Sequence, residues 1–306
     1  MDTRFLECFL AVTESGSVAE AARRLNIAPT TLALRIRTLE DELGFALMTR
    51  SGRTARPTPA GEAVALRAAS ILRELRDLRT LQDEEQPRGQ LRLGVAQTAI
   101  ATVLCDVLPA LAQKYPQLEI AVQKGSSSHV FEKINAAELD GAFMFHPPFK
   151  LPKSFLWRPL RAEPYIVIAS SSEPITEPLQ LLRERPLVRY DRSLWSGQIA
   201  ENYLRQQRIR PNDRIELDAL DAIAVLVNRG IGVSLVPDRV LPWPGGLSIV
   251  KHALPKPAPE RVLGLLWPQA SAHARLIQAV EREAIPTLGG AEATNSAVLS
   301  AKKSWR

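Results

Sequence analysis

Between Met1 and Ala60 the chain carries eight arginines against seven acids, a near balance that hides an uneven placement. No acid occurs from Arg23 to Leu39 or from Leu43 to Gly61, and these two stretches hold seven of the eight arginines. A guanidinium stays charged at any physiological pH and presents its donors in a rigid fork, which suits phosphate oxygens and guanine edges. Such local basic surfaces weigh more toward nucleic acid than the whole-chain excess of +6. Among the arginines stand short side chains that could meet base edges or phosphates: Ser17, Pro29, Thr30, Thr31, Ala33, Leu34 and Thr38, next to Arg35 and Arg37. Enzyme chemistry has no comparable support. The chain lacks G-x-x-x-x-G-K-[ST] and G-x-S-x-G, and Gly230-Ile231-Gly232 runs on to Val233-Ser234-Leu235 without completing G-x-G-x-x-G. His129, His146, His252 and His273 are too scattered to suggest a metal site, and no cofactor is implied. Cys8 and Cys105 match no ligand spacing and are expected to be buried, reduced thiols.

The arginines need elements to position them. Phe5, Phe9 and Val12 recur at helical spacing up to Gly16, and Ser17-Val18-Ala19-Glu20 has the spacing of a capping box for a second helix reaching about Leu25. Asn26-Ile27-Ala28 makes the turn, and Pro29 suits a first helical position. Leu32, Ile36, Leu39 and Leu43 then stripe one side of a third helix, leaving Thr30, Leu34, Arg37 and Thr38 on the other. Such a pair fits a helix-turn-helix, whose second helix enters the major groove. An ordinary helical hairpin with a solvated face gives the same pattern. Ala46–Thr49 and Thr54–Thr58 read as short strands about Arg50-Ser51-Gly52-Arg53, a wing whose Arg50 and Arg53 suit phosphates, with Arg56 structural or solvated.

Further on, Val64, Ala68, Ile71, Leu75 and Leu78 keep a mean step of about 3.5, the repeat of a two-helix coiled coil. A lone amphipathic helix packed on its own domain is the alternative. Gln86–Gly89 reads as a hinge. From Gln90, apolar runs alternate with helical stretches: Leu91–Val95, Val103–Lys114, Leu118–Val122, His129–Ala137 and Gly141–Phe145. That alternation predicts βαβ units on a parallel sheet. Tyr165–Ala169, Leu187–Tyr190, Gln198–Gln206 and Ile231–Val236 repeat it, and Val262–Trp267 with a helix at Ala272–Ala284 returns to the first half. Residues 286–306, poor in large apolar side chains, are expected to form a disordered tail. In open α/β lobes ligands collect beyond the carboxyl ends of strands. Gln97-Thr98-Ala99, Ser126-Ser127-Ser128 and Phe145-His146 occupy such positions, and their hydroxyls and helix starts suit an anion.

Phe9-Leu10-Ala11-Val12, Gly16-Ser17, Ala21-Ala22, Leu25, Ile36, Leu39-Glu40, Leu43-Gly44, Arg50 and Thr58-Pro59-Ala60-Gly61 stand in the order and spacing of the LysR-type transcriptional regulators, which the chain resembles. The likeness is weaker beyond, where Leu91–Gly94, Tyr115-Pro116, Leu139-Asp140 and Gly230–Gly232 carry it. It implies an α/β protein with an N-terminal winged helix-turn-helix at 1–60, a dimerising linker helix and hinge at 61–89, and at 90–285 an effector domain of two α/β lobes resembling periplasmic solute-binding proteins. It further implies double-stranded promoter DNA, a small-molecule effector and further copies of the chain, as dimer or tetramer, as partners. RNA polymerase is a further candidate, and no membrane is expected. The family's effectors sit at the first two strand ends and a loop corresponding to Leu194-Trp195-Ser196; together with the hydroxyls and helix starts that suit an anion, this leads to the expectation of a small carboxylate near Trp195. The chain departs from the family's pattern at Pro29, Ala33, Leu34 and Met48, which bears on base contacts and not on fold. The absence of a signal peptide argues against a solute-binding protein with an accidental match, and favours the cytoplasm. The sensor-sized second domain argues against a purely architectural DNA protein.

Overall fold

The computed structural model describes residues 2–51, 54–78, 87–238, 244–271 and 273–288, which divide into two compact units, Met1–Glu84 and Glu85–Arg306. In the first, Asp2 caps α1 (Thr3–Ser15), which ends where Gly16 turns to a φ of 66°. Ser17 accepts the Glu20 N–H to open α2 (Val18–Arg24). The capping box is only half formed, because the Ser17 N–H goes to the Ser15 hydroxyl and the Glu20 carboxylate to Arg23. Next comes α3 (Pro29–Leu43), whose Leu32, Ile36 and Leu39 bury against Leu6, Phe9 and Val12. Glu40 accepts the N–H groups of Leu47 and Met48 at 2.7 and 3.0 Å, fastening the hairpin β1 (Met48–Ser51) and β2 (Thr54–Pro57) to α3. The Ala55 N–H reaches the Gly16 carbonyl and holds the hairpin's other strand.

Thr58 then opens α4 (Pro59–Leu78) by accepting the Gly61 N–H at 2.9 Å while donating to the Ala46 carbonyl. A Cβ on Gly61 would lie 2.1 Å from the Leu47 carbonyl oxygen, so the Thr58-x-x-Gly61 pattern is a cap plus a close approach. The expected coiled-coil stripe divides here. Ala68 is buried and Val64 half-buried in the core of their own unit, joined by Leu72, whereas Ile71 and Leu75 are exposed. The first part of the helix therefore serves its own domain, as a period nearer the α-helical 3.6 also allows over so short a run. The side chain of Leu78 lies outside the described residues.

The second unit begins with β3 (Gly89–Ala96), a 3₁₀ turn at Gln97–Ala99, α5 (Ile100–Asp106) and α6 (Leu108–Lys114). One helix was expected over Val103–Lys114. Pro109, which has no N–H to continue the helical ladder, falls at the start of the second piece. After β4 (Leu118–Gly125), α7 (Ser127–Asn135) and β5 (Gly141–Phe145) comes β6 (Phe155–Ser170), a long strand expected only from Tyr165. Its first half, with Arg158, Pro159, Arg161, Glu163 and Pro164, conceals the strand pattern. Then follow α8 (Pro178–Glu184), β7 (Pro186–Tyr190), α9 (Trp195–Gln206), β8 (Asn212–Leu217), α10 (Leu220–Asn228), β9 (Ser234–Pro237), β10 (Ile249–Ala253), β11 (Glu260–Pro268) and α11 (Ala274–Leu288).

The sheet is mixed rather than parallel. β4, β3 and β5 run parallel, but β11 returns antiparallel between β5 and β6. Up to Pro164, β6 belongs to this first lobe; beyond it, the same strand pairs with β9 and β10 in the second, beside the parallel pair β7 and β8. The two lobes are thus joined through β6, with β11 entering the sheet next to the crossing point. In the first lobe, Asp140 takes hydrogen bonds from Arg92 and contacts His273. Burial raises its carboxyl pKa, but these bonds outweigh it and hold the group below the usual range. α11 does not stop before Pro286: it runs to Leu288, which is buried, so residues 286–288 are not part of a tail, and the remainder of the expected tail lies outside the described residues. Cys8 is buried, but Cys105 is exposed, contrary to expectation. No described helix is long and apolar enough to cross a membrane.

Candidate functional sites

The first unit presents one surface. Pro29, Thr30, Thr31, Leu34 and Arg37 are exposed on α3, and Ala33, Thr38 and Ser17 are half-buried beside them. Leu34 is 66 % exposed, a large apolar side chain with no core to join. Arg35 is different: it is half-buried, and its Nη1 lies 3.7 Å from the Cys8 sulfur on α1, which turns it away from the Thr30–Leu34–Arg37 side. Thr30, Ala33, Leu34 and Arg37 border a groove of about 500 Å³ closed by Val18 of α2 and by Met48 and Ala55 of the hairpin. Arg50 pairs through its backbone with Ala55; its side chain, and Arg53 altogether, lie outside the described residues. Arg56, in register with Thr49, is exposed. Helix face, groove and hairpin together can lie along a duplex, with Leu34 able to reach a thymine methyl and Arg37 a phosphate or guanine.

In the second unit a cavity of about 50 Å³ opens between the lobes. Of the nine side chains expected there, Gln97, Thr98, Ser126, Ser127, Phe145 and Trp195 line it, and Ala99, Ser128 and His146 do not. Ala99 is buried in the first lobe's core, and Ser128 bonds the Ser126 hydroxyl at 2.9 Å. His146 bonds the Pro147 carbonyl at 2.8 Å and meets Trp157 edge to face; burial lowers its pKa. The serines serve the scaffold as well as the cavity. Ser126 caps α7 through the His129 N–H, and Ser127 accepts the Phe145 N–H at 3.1 Å. Trp195 stands at the first position of α9 instead of in a loop, and meets Phe131 and Phe149 of the first lobe edge to face. Gly197 lets α9 lie against the turn that follows β7, where a Cβ would sit 1.7 Å from the Asp191 carbonyl oxygen.

The buried ion pair behind this site was not expected from sequence. Arg261 is 2 % exposed, at the start of β11 and directly opposite Glu163 on β6. Its Nε and Nη2 hold one Glu163 oxygen at 2.9 and 2.7 Å, and its guanidinium carbon lies 3.7 Å from the centre of the Phe145 ring. Its Nη1 reaches out to the hydroxyls of Thr98 and Ser196, at 3.2 and 3.3 Å, so one guanidinium touches both lobes. A second arginine, Arg161, lies 3.8 Å from the other Glu163 oxygen, and its Nε and Nη2 are buried without a hydrogen-bond partner among the described residues. Tyr165 donates to the Ser196 carbonyl, and burial pushes the Tyr165 and Tyr190 hydroxyls above their ordinary range, against the pull of Arg261. Asp218, exposed at the end of β8, completes the lining with Tyr190, Leu194 and Ser196. The one sequence signal was the charged pair Glu260-Arg261 at the head of the apolar run Val262-Leu263, with Arg161-x-Glu163 at strand spacing elsewhere in the chain.

A winged helix-turn-helix unit followed by a two-lobed α/β unit with a polar interlobe cavity defines the class: a DNA-binding regulator with a ligand-sensing domain. Family comparison is specific. The lysR-family bacterial regulatory helix-turn-helix model matches residues 3–62 and the LysR substrate binding domain model residues 84–285, and the chain belongs to the LysR-type transcriptional regulators. The transcriptional regulator YofA of Bacillus velezensis is 29% identical over 258 residues, 84% of this chain and 88% of that protein. A full-length OxyR from Pseudomonas aeruginosa has the same fold, with a TM-score of 0.69 at 22% identity over 93% of this chain and 94% of that one. CbnR, solved with its target DNA, gives 0.64 at 21% identity over 92% and 100%. These relatives are transcriptional regulators and not enzymes.

Proposed function

We propose that this regulator binds a promoter through α3 and the hairpin, and that a small carboxylate held between the lobes changes how it holds the DNA. Thr30, Thr31, Leu34, Arg37 and Thr38 meet the major groove, with Ser17, Pro29 and Ala33 beside them, and Arg50 and Arg53 meet phosphates. The exposed Ile71 and Leu75 pair with a second copy, setting two α3 helices on half-sites related by a two-fold axis; a tetramer follows if effector units also associate. Such a protein works in the cytoplasm, with RNA polymerase as a further partner. The observation that carries the effector half is the buried Arg261, one guanidinium in reach of hydroxyls from both lobes. A ligand that prefers one spacing of those lobes shifts the population toward it. The test is protection of promoter DNA, then titration of the protein with a carboxylate and its amide. Preference for the carboxylate supports the reading, and equal affinity sinks the anion argument.

A further inference from the structure

The charges around the cavity ask more of a ligand than a carboxylate. Arg261 spends Nε and Nη2 on Glu163, and its Nη1 donates to the hydroxyls of Thr98 and Ser196, two residues that line the cavity, through contacts at the long end of hydrogen-bond range. An entering carboxylate can accept from the Thr98 and Ser196 hydroxyls, with the Arg261 guanidinium behind them favouring the negative charge. Asp218, however, contributes its own carboxylate to the same wall, and no hydrogen bond or ion pair engages it among the described residues. Behind that wall Glu163 and Arg261 neutralise each other as an ion pair, so Asp218 is the one charged side chain among the described residues that line the cavity. A simple monoanion would bring an uncompensated charge past Asp218, whereas a molecule with an ammonium group at one end would pair with it. The cavity of 50 Å³ equals roughly three to five water-sized positions, which restricts the rest of the molecule to a short side chain.

Resting on the reading of this cleft as the effector site, we propose that the ligand is a small zwitterion of the α-amino acid type, its carboxylate on the Thr98 and Ser196 hydroxyls that Arg261 stands behind and its ammonium on Asp218. Specificity for the amino group lies in Asp218, and Trp195, Leu194 and Phe145 supply the apolar wall that limits side-chain length.

The experiment is calorimetric titration of the full chain with glycine, L-alanine and L-serine, with propionate and lactate, which lack the ammonium, and with L-alaninamide, which lacks the carboxylate. At least one amino acid is expected to bind, with loss of either charged end weakening it roughly tenfold or more. Asp218→Asn, at an exposed position, should weaken the amino acid by a similar factor and tighten propionate. Because Arg261→Gln alone can fail to fold, Glu163→Gln/Arg261→Gln serves as the second variant, keeping the pair neutral; it should lose the amino acid. Propionate binding as tightly as alanine, unchanged by Asp218→Asn, overturns the ammonium assignment and leaves the cleft an anion site. Amino acid binding that neither variant alters overturns the location, and with it the reading of the cleft. No binding by any of these probes overturns the proposal.

Discussion

The two candidate sites of this protein are built in opposite ways. On the DNA-reading surface the working side chains come from one short stretch, Thr30 to Thr38 with a hairpin behind it, and most are exposed: Leu34 is 66 % open to solvent. Behind the interlobe cavity the organising side chain, Arg261, is 2 % exposed, and its partners come from the 3₁₀ turn, β5, β6 and the start of α9, as far as 163 residues away in the chain. A site of the first kind can change its residues without disturbing the fold, because nothing else rests on them. A site of the second kind is part of what holds its domain together. Binding chemistry and stability are therefore separable in the first unit and coupled in the second.

Replacing Arg261 by Met is the most direct way to break that contrast. It leaves Glu163 buried without its main partner, a loss of about 3–5 kcal/mol by the usual cost of breaking a buried ion pair. The second unit should melt earlier in calorimetry while the first retains its transition; melting unchanged in both would mean the pair bears no structural load. Leu75→Glu comes next, with a cost of several kcal/mol if the exposed side of α4 is a desolvated seam between copies. Sedimentation should report a monomer that has lost specific DNA binding yet keeps a folded first unit, and a persisting dimer would put the seam elsewhere.

Smaller effects belong to the exposed surface. Leu34→Arg should leave stability within about 0.5 kcal/mol and alter base preference in each half-site by about 1–3 kcal/mol, away from A·T, in selection from a random pool. Identical preferences would mean that Leu34 reads no base. Arg53→Ala should weaken binding to all sequences alike and reduce the salt slope by about one unit. An unchanged slope would remove Arg53 from the phosphate contacts.

The same contrast governs what was legible in the sequence. The helix-turn-helix and hairpin follow from local signals: Leu32, Ile36 and Leu39 at helical spacing, Pro29 at a helix start, and Gly44 at its end, with φ of 80°. The strand-end hydroxyls of Thr98, Ser126 and Ser127 were also accessible, since strand ends in α/β lobes are local features. Arg261 and Glu163 were not, because their meeting depends on β11 returning antiparallel beside β6, a pairing that no local period encodes. The division of α4 was hidden for a related reason: a stripe of apolar residues does not say whether it faces its own domain or another copy, and Ala68 faces inward.

The central claim is that occupancy of the interlobe cavity alters how the first unit holds DNA. It is tested most directly by measuring promoter affinity and bending with and without a saturating ligand found by titration, for the wild type and for Glu163→Gln/Arg261→Gln. The ligand should shift affinity or bend in the wild type and shift neither in the variant, whose ligand-free DNA binding should be unchanged. A ligand effect of equal size in both proteins, or none in a wild type shown to be saturated, would contradict it.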